Sequence, residues 1–174
     1  MDAFRITFDG ASRGNPGPGS SAAVLWQNGA RVAQAAKAHP GRVTNNEAEY
    51  MGLLLGLQLA LDRQVPRLLV AGDSKLVVEQ VFGTYACRHP RLQPLNRQAK
   101  ALAARIGAVQ AQWIPRHQNA AADALCNAAL DGGAVPSGSP SGGSPSAPSG
   151  SPSAPSGSPS APAGSPILRQ LGLM

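Results

Sequence analysis

Thirty-five consecutive residues, Gly132 to Pro166, contain only serine, proline, glycine, alanine and a single valine. This tract decides how much of the 174-residue chain can fold. Within it the heptad Ser-Ala-Pro-Ser-Gly-Ser-Pro occurs at 146–152 and 153–159, and returns at 160–166 with Ala163 in place of a serine. No repeat unit carries an apolar face to bury, so the segment is a linker and not a solenoid. A coil of this length spans on the order of 30 Å, more where proline stiffens it. A folded domain is thereby confined to residues 1–131, long enough to bury about two-thirds of its surface. Residues 132–166 form a disordered tether, and residues 167–174 turn apolar again at its end.

All nine acids and fourteen of the fifteen bases lie in residues 1–131, giving that segment a net charge of +5. An excess of that sign points to an anionic partner. No run approaches the ~20 apolar residues of a membrane span; Met51 to Leu61 is interrupted by glycines and by Gln58. A strand starting at Phe4 leaves no room for a cleavable leader, so a cytoplasmic location is expected; no membrane partner is expected, and the protein is expected to be a monomer. Cys87 and Cys126 are too few and too far apart for a disulfide framework or a zinc site, and read as small buried side chains.

Phe4, Ile6 and Phe8 alternate with Arg5, Thr7 and Asp9, the period of a half-buried strand that points Asp9 away from the phenylalanines. A turn over residues 15–19 follows, then strands near 22–27 and 30–37 joined at Asn28-Gly29, a strong hairpin signal. Thr44 and Glu47 make a capping box that opens a helix with Ala48, Met51, Leu55 and Leu59 on one face. An apolar strand over 68–71, helices over 74–82 and 92–106, a strand over 109–114 and a helix over 120–130 with Asn119 as its cap complete the pattern. Strands interleaved with helices imply an α/β fold with a mixed sheet.

Two acids stand where ligands collect in such sheets. Asp9 ends the first strand and precedes the small residues Gly10, Ala11 and Ser12; Asp73 ends another, between Gly72 and Ser74. The carboxyl ends of strands at a reversal of strand order are the usual ligand position. Two carboxylates there repel one another unless one is protonated or a cation joins them. Hard oxygen donors of this kind suit magnesium or manganese.

Asp9-Gly10-Ala11-Ser12-Arg13-Gly14-Asn15-Pro16-Gly17-Pro18-Gly19 resembles the opening motif of type 1 ribonuclease H. Three further blocks agree with it, in family order: Thr44-Asn45-Asn46-Glu47-Ala48-Glu49, Gly72-Asp73-Ser74-Lys75-Leu76-Val77-Val78, and Arg116-His117-Gln118-Asn119-Ala120-Ala121-Ala122-Asp123. Four separate matches are far more specific than one. The resemblance implies a ribonuclease H-like fold, a five-stranded mixed sheet flanked by helices, with Asp9, Glu49, Asp73 and Asp123 as catalytic metal ligands. It implies two magnesium ions per site, with manganese as the other candidate, Asp9 bridging them, and His117 assisting proton transfer or product release. The implied activity is endonucleolytic hydrolysis of the RNA strand of RNA/DNA hybrids, leaving 5′-phosphate and 3′-hydroxyl ends. The backbone at Gly10, Ala11 and Ser12 and the carboxamides of Asn15, Asn45 and Asn46 match family positions that contact the two strands, and Thr44 one that holds a DNA phosphate. Many bacterial members carry a basic, tryptophan-rich protrusion after the third acid. Here only Arg88, Arg91, Arg97, Lys100 and Arg105 stand in that region, so the chain resembles the branch without the protrusion.

The different-class alternative is a non-catalytic hybrid-binding module, and the presence of all four acids speaks against it. His39 and His89 read as structural side chains, and the arginines from 88 to 105 as a solvated face. At the far end, Gln170-Leu171-Gly172-Leu173-Met174 is similar to the pentapeptide with which bacterial replication proteins dock into the sliding clamp, Met174 standing where Phe is usual. Gln170, Leu171, Leu173 and Met174 are the candidate anchors, presented on the tether.

Overall fold

A computed structural model of the protein describes residues 1–132. Its elements are β1 (Phe4–Ser12), β2 (Gly17–Gln27), β3 (Ala30–Val43), α1 (Asn45–Asp62), β4 (Arg67–Gly72), α2 (Lys75–Phe82), α3 (Gln93–Ile106), β5 (Ala108–Trp113) and α4 (Ala120–Leu130), with a short 3-10 turn over Arg116–Gln118. The five strands form one sheet in the order β3-β2-β1-β4-β5. β1, β2 and β3 pair antiparallel, whereas β4 runs parallel to both β1 and β5. The parallel half begins between β1 and β4, so the carboxyl ends of those two strands face the same way at the point where the topology changes.

Each element follows from local chemistry. The β2–β3 hairpin turns at Asn28 and Gly29, both with positive φ, as a two-residue turn of this type requires. Both strands run longer than the sequence pattern suggests, β2 from Gly17 and β3 to Val43. The capping box forms as expected: the Thr44 hydroxyl accepts from the Glu47 N–H at 3.2 Å, and Glu47 Oε2 accepts from the Thr44 N–H at 2.7 Å. Such a pair stabilises a helix end by about 1 kcal/mol.

Two expectations are corrected here. Helix α1 has no single apolar face, because Tyr50, Leu53, Leu54 and Leu57 are buried along with Ala48, Met51 and Leu55. It lies between the sheet and α3. On its far side the Tyr50 hydroxyl donates to Gln80 Oε1 at 2.7 Å, and Asn96 Nδ2 donates to the Tyr50 hydroxyl and to the Gln80 carbonyl, both at 3.1 Å. This satisfied buried network locks α1, α2 and α3 together. The middle of β1 is likewise buried on both faces and not one: α1 and α4 both pack against the strand, and Thr7 and Asp9 are hidden as well as Ile6 and Phe8.

The approach of α1 to β1 depends on glycine. A Cβ at Gly10 would lie 2.1 Å from the Ala48 carbonyl carbon, and one at Gly52 would lie 2.4 Å from the Asp9 carbonyl oxygen. Backbone therefore meets backbone at both points, which no larger residue permits. The consequence is positional: Glu49 is pressed against the end of β1.

Candidate active site

Register fixes the first pair of acids. Phe8 of β1 pairs with Gly72 of β4 in parallel, so the next residues, Asp9 and Asp73, leave adjacent strand ends together. Strands in this relation are ~4.8 Å apart. Glu49 arrives from the first turns of α1 through the glycine contacts just described. One carboxylate oxygen from each of Asp9, Glu49 and Asp73 lies within 4.8 Å of the others. Asp123, in the first turn of α4, is outside that trio, yet it is near enough to help raise the Asp9 pKa.

The electrostatics show an incomplete neutralisation. Burial first, then the charge of Asp73 and the nearby Asp123 carboxyl, push the Asp9 carboxyl up to about 7, against the Gly10 N–H that favours its ionised form. Burial, followed by Asp9 and Asp73, raises Glu49 well above the usual carboxylate range. Burial raises Asp73 too, opposed by the Arg116 guanidinium. Arg116 reaches Asp123 Oδ1 at 3.4 Å but is largely exposed, so it screens the outer rim and not the centre. Glu49 Oε2 is buried with no hydrogen-bond partner. Clustered hard oxygen donors, mutual repulsion and an orphaned buried oxygen together fit a divalent cation.

The contact residues expected from sequence form a second cluster beside the acids. Asn45 Oδ1 accepts from the Ser12 N–H at 3.0 Å and the Ser12 hydroxyl at 2.8 Å, and Asn15 Oδ1 accepts from the Asn45 N–H at 3.1 Å. The β1–β2 loop is thus pinned to the start of α1. Two expectations change as a result. The Ser12 N–H is already used within the protein, and Gly10 faces α1 rather than an open surface. Ala11 and Thr44 are half-buried, Asn15, Asn45 and Asn46 exposed. His117 is exposed on the 3-10 turn that leads into α4.

Asn119 is the residue whose role the sequence pattern misassigns. Its side chain makes no cap for α4. Nδ2 donates instead to the Phe8 carbonyl at 2.8 Å. Asn119 is 1% exposed, so it ties α4, and with it Asp123, to the end of β1. The Trp113 indole adds a brace that the sequence does not suggest, donating to the Asp73 carbonyl at 3.1 Å. Replacing Asn119 with alanine is expected to cost about 1–3 kcal/mol, because the buried Phe8 carbonyl loses its side-chain donor. Urea denaturation measures this, and an unchanged midpoint contradicts it.

The remaining assignments sort simply. His39 is buried with its Nε2 2.7 Å from the Ser21 hydroxyl, which itself donates to the Ala48 carbonyl at 2.6 Å, and burial pushes the imidazole down to about 4. It is structural, as expected. Cys126 is buried and Cys87 half-buried. Arg91 departs from a purely solvated role, since its Nε lies 2.8 Å from Glu47 Oε1 and fastens the α2–α3 loop to the α1 cap. Among the described residues no helix is long and apolar enough to cross a membrane.

Comparison with known proteins agrees with this geometry. The chain is 45% identical over 130 residues to the bifunctional protein Rv2228c of Mycobacterium tuberculosis, a match that covers 74% of this chain but only 36% of that protein. The chain therefore spans about a third of the length of the curated relatives it matches first. The crystal structure of RNase H1 from Halobacterium salinarum superposes with a TM-score of 0.71 at 38% identity, covering 75% of this chain and 98% of that one. LC11-RNase H1, solved in complex with an RNA/DNA hybrid, gives a TM-score of 0.69 at 30% identity, covering 74% and 97%. A family described as reverse transcriptase-like matches residues 7–129, and with it the four blocks, the sheet order and the carboxylate cluster establish that the chain belongs to the type 1 ribonuclease H family.

Proposed function

We propose that the protein is a metal-dependent endoribonuclease that hydrolyses the RNA strand of RNA/DNA hybrids. The observation that carries this is the convergence of Asp9, Glu49 and Asp73 within 4.8 Å at the topological switch of the sheet. In this account Asp9, Glu49, Asp73 and Asp123 would hold two magnesium ions, manganese being the other ion suited to the same donors. Bound there, the ions supply an activated water and stabilisation of the leaving ribose oxygen. The protein's own part is positioning. The glycine contacts hold Glu49 against Asp9, Asn119 holds α4 to the end of β1, Trp113 holds the Asp73 end, and His117 on its exposed turn assists proton transfer or product release. Cleavage on the 3′-oxygen side leaves a 5′-phosphate and a 3′-hydroxyl.

Selection of RNA requires donors and acceptors for the 2′-hydroxyl. Asn45 spends its carbonyl oxygen on Ser12, which leaves its amide N–H groups as donors to a strand lying over the start of α1. Asn15, Asn46 and the Ala11 backbone stand in the same strip, with Thr44 beside it for a DNA phosphate. The test is a panel of labelled substrates. Cleavage is expected in the RNA strand of a hybrid and not in duplex DNA or duplex RNA; comparable cutting of duplex DNA would refute the assignment.

The division into a catalytic domain, a 132–166 linker and a docking peptide also stands as a proposal, because residues 133–174 lie outside those described. If Gln170, Leu171, Leu173 and Met174 engage a bacterial sliding clamp, purified clamp should retain the full chain, and retention should fall when Gln170 and Leu171 are both replaced by alanine. Equal retention of that variant rules the docking out.

A further inference from the structure

The acids occupy one end of the sheet, and helix α4 covers only part of the face from which Asp9 projects. Lower on that face Arg5 and Arg67 are exposed and Arg31 is half-buried. Arg5 of β1 pairs in register with Trp26 of β2, and Trp26 with Arg31 of β3. Both guanidinium groups stack on the Trp26 ring, at 5.7 Å and 5.4 Å from its centroid. The Trp26 indole N–H is itself fixed by the Thr7 hydroxyl at 3.0 Å. On the other side of β1, Arg5 pairs with Leu69, so Arg67, two residues earlier on β4, stands on the same face. It is exposed and borders a groove of about 560 Å³ between the start of β1 and the edge of β5.

Charge identifies what this surface lacks. Among the described residues no carboxylate lies within ion-pair distance of Arg5, Arg31 or Arg67. Arg31 donates to a neutral group, the Gln34 carboxamide, at 3.0 Å. The nearest acid of the groove, Asp2, accepts from the Asn28 side chain. Three arginines kept close together without counter-charge repel one another, and stacking on an indole fixes their direction without neutralising them. Surfaces of this composition suit phosphate, since each guanidinium offers a fork of donors matched to it.

The geometry points to a second nucleic-acid contact on this face, in which Arg5, Arg31 and Arg67 hold the sugar-phosphate backbone of a strand continuing beyond the hybrid at the acids. It rests on the proposed function in taking nucleic acid as the polyanion the protein meets. Reach permits it: Arg5 lies four residues before Asp9 on β1, a distance of about 13 Å along the strand, and a polynucleotide covers that in about four nucleotides. With no tryptophan between Asp73 and Trp113, this surface supplies grip from the sheet itself.

The experiment measures binding in chelator, where no cleavage is needed, so that it can fail while hydrolysis stands and hold while hydrolysis fails. Anisotropy compares a blunt hybrid with the same hybrid carrying a single-stranded DNA extension, over a range of salt. The variant Arg5→Gln/Arg31→Gln/Arg67→Gln is set against Arg97→Gln/Lys100→Gln/Arg105→Gln, which removes the same charge from α3. The first variant should lose the affinity gained from the extension and lower the slope of log K against log salt by about 2, three phosphate contacts at ~0.7 each. The α3 variant should retain both. Arg67→Gln alone leaves the stacked trio intact and should lose a part of the same gain, so the test survives if the triple variant folds poorly. An equal loss in the α3 variant would reduce the effect to overall charge and overturn the assignment. So would an undiminished gain in the sheet variants, or stronger competition by an acidic peptide than by single-stranded DNA.

Discussion

Asp9→Asn is expected to raise the melting temperature of the metal-free protein by roughly 5–15 °C at pH 8, a domain of this size gaining a few degrees per kcal/mol. Asp9 has its folded-state pKa pushed up to about 7 from an ordinary 3.8. An acid raised in this way binds its proton more tightly in the folded state, so its destabilising effect is absent at low pH. The loss of stability begins as pH rises past the unfolded pKa and is complete above the folded one. Each tenfold change in proton affinity is worth about 1.4 kcal/mol, giving a penalty on the order of 2–4 kcal/mol near pH 8. Asparagine is nearly isosteric and carries no charge, so the penalty goes. Melting in chelator at pH 5 and pH 8 checks the sign: wild type and variant should diverge mainly at pH 8. Added magnesium should raise the wild type more than the variant, because the cation removes the same repulsion that asparagine does. A variant less stable than wild type at pH 8 contradicts the electrostatic account.

Gly52→Ala should act in the opposite direction and against intrinsic preference. In an exposed helix interior, alanine is favoured over glycine by about 1 kcal/mol. Here the added Cβ would stand 2.4 Å from the Asp9 carbonyl oxygen and 3.2 Å from that of Ala22. Neither is a side chain that can swing away, so α1 must lift from the sheet. A net loss of about 1–3 kcal/mol follows, the range for overpacking a tight core. The same displacement carries Glu49 away from Asp9, and a shift of about 1 Å in a catalytic group can cost on the order of 100-fold in rate. Gly56→Ala, one helical turn further on, is the internal comparison. Its nearest neighbour, at 2.7 Å, is the Ile6 Cδ1 methyl, which can rotate, so a smaller loss is expected. Equal tolerance of both substitutions would show that backbone contact does not set the position of Glu49.

The acids are legible in the sequence because strand ends can be read from local pattern. Phe4 to Asp9 alternates and ends on an aspartate, and the apolar run Leu68 to Ala71 is followed by Gly72 and Asp73. Glu47 and Glu49 can be separated because the capping box uses an acid three residues after Thr44, and the structure makes that pair of bonds. Only motif order connects Glu49 and Asp123 to the strand ends. Their proximity arises from contacts far apart in sequence: Gly52 against Asp9, and Asn119 against Phe8 across 111 residues. Asn119 reads wrongly for that reason, since an asparagine before a helix looks like a cap when its tertiary partner is unseen. The burial of α1 and of the middle of β1 on more than one face is illegible on similar grounds. Periodicity reports one covered face, whereas α1 packs on both the sheet and α3, and β1 meets both α1 and α4.

The most direct measurement follows cleavage of a hybrid labelled on its RNA strand, with chelator, with magnesium and with manganese, for wild type and Asp9→Asn, and identifies the product ends. Wild type should cut the RNA only when a divalent ion is added, leaving 5′-phosphate and 3′-hydroxyl ends, and Asp9→Asn should be slower by at least about 100-fold, the scale for removing a principal stabiliser of transition-state charge. Cleavage that persists in chelator, or that proceeds undiminished in Asp9→Asn, would contradict the metal-site account.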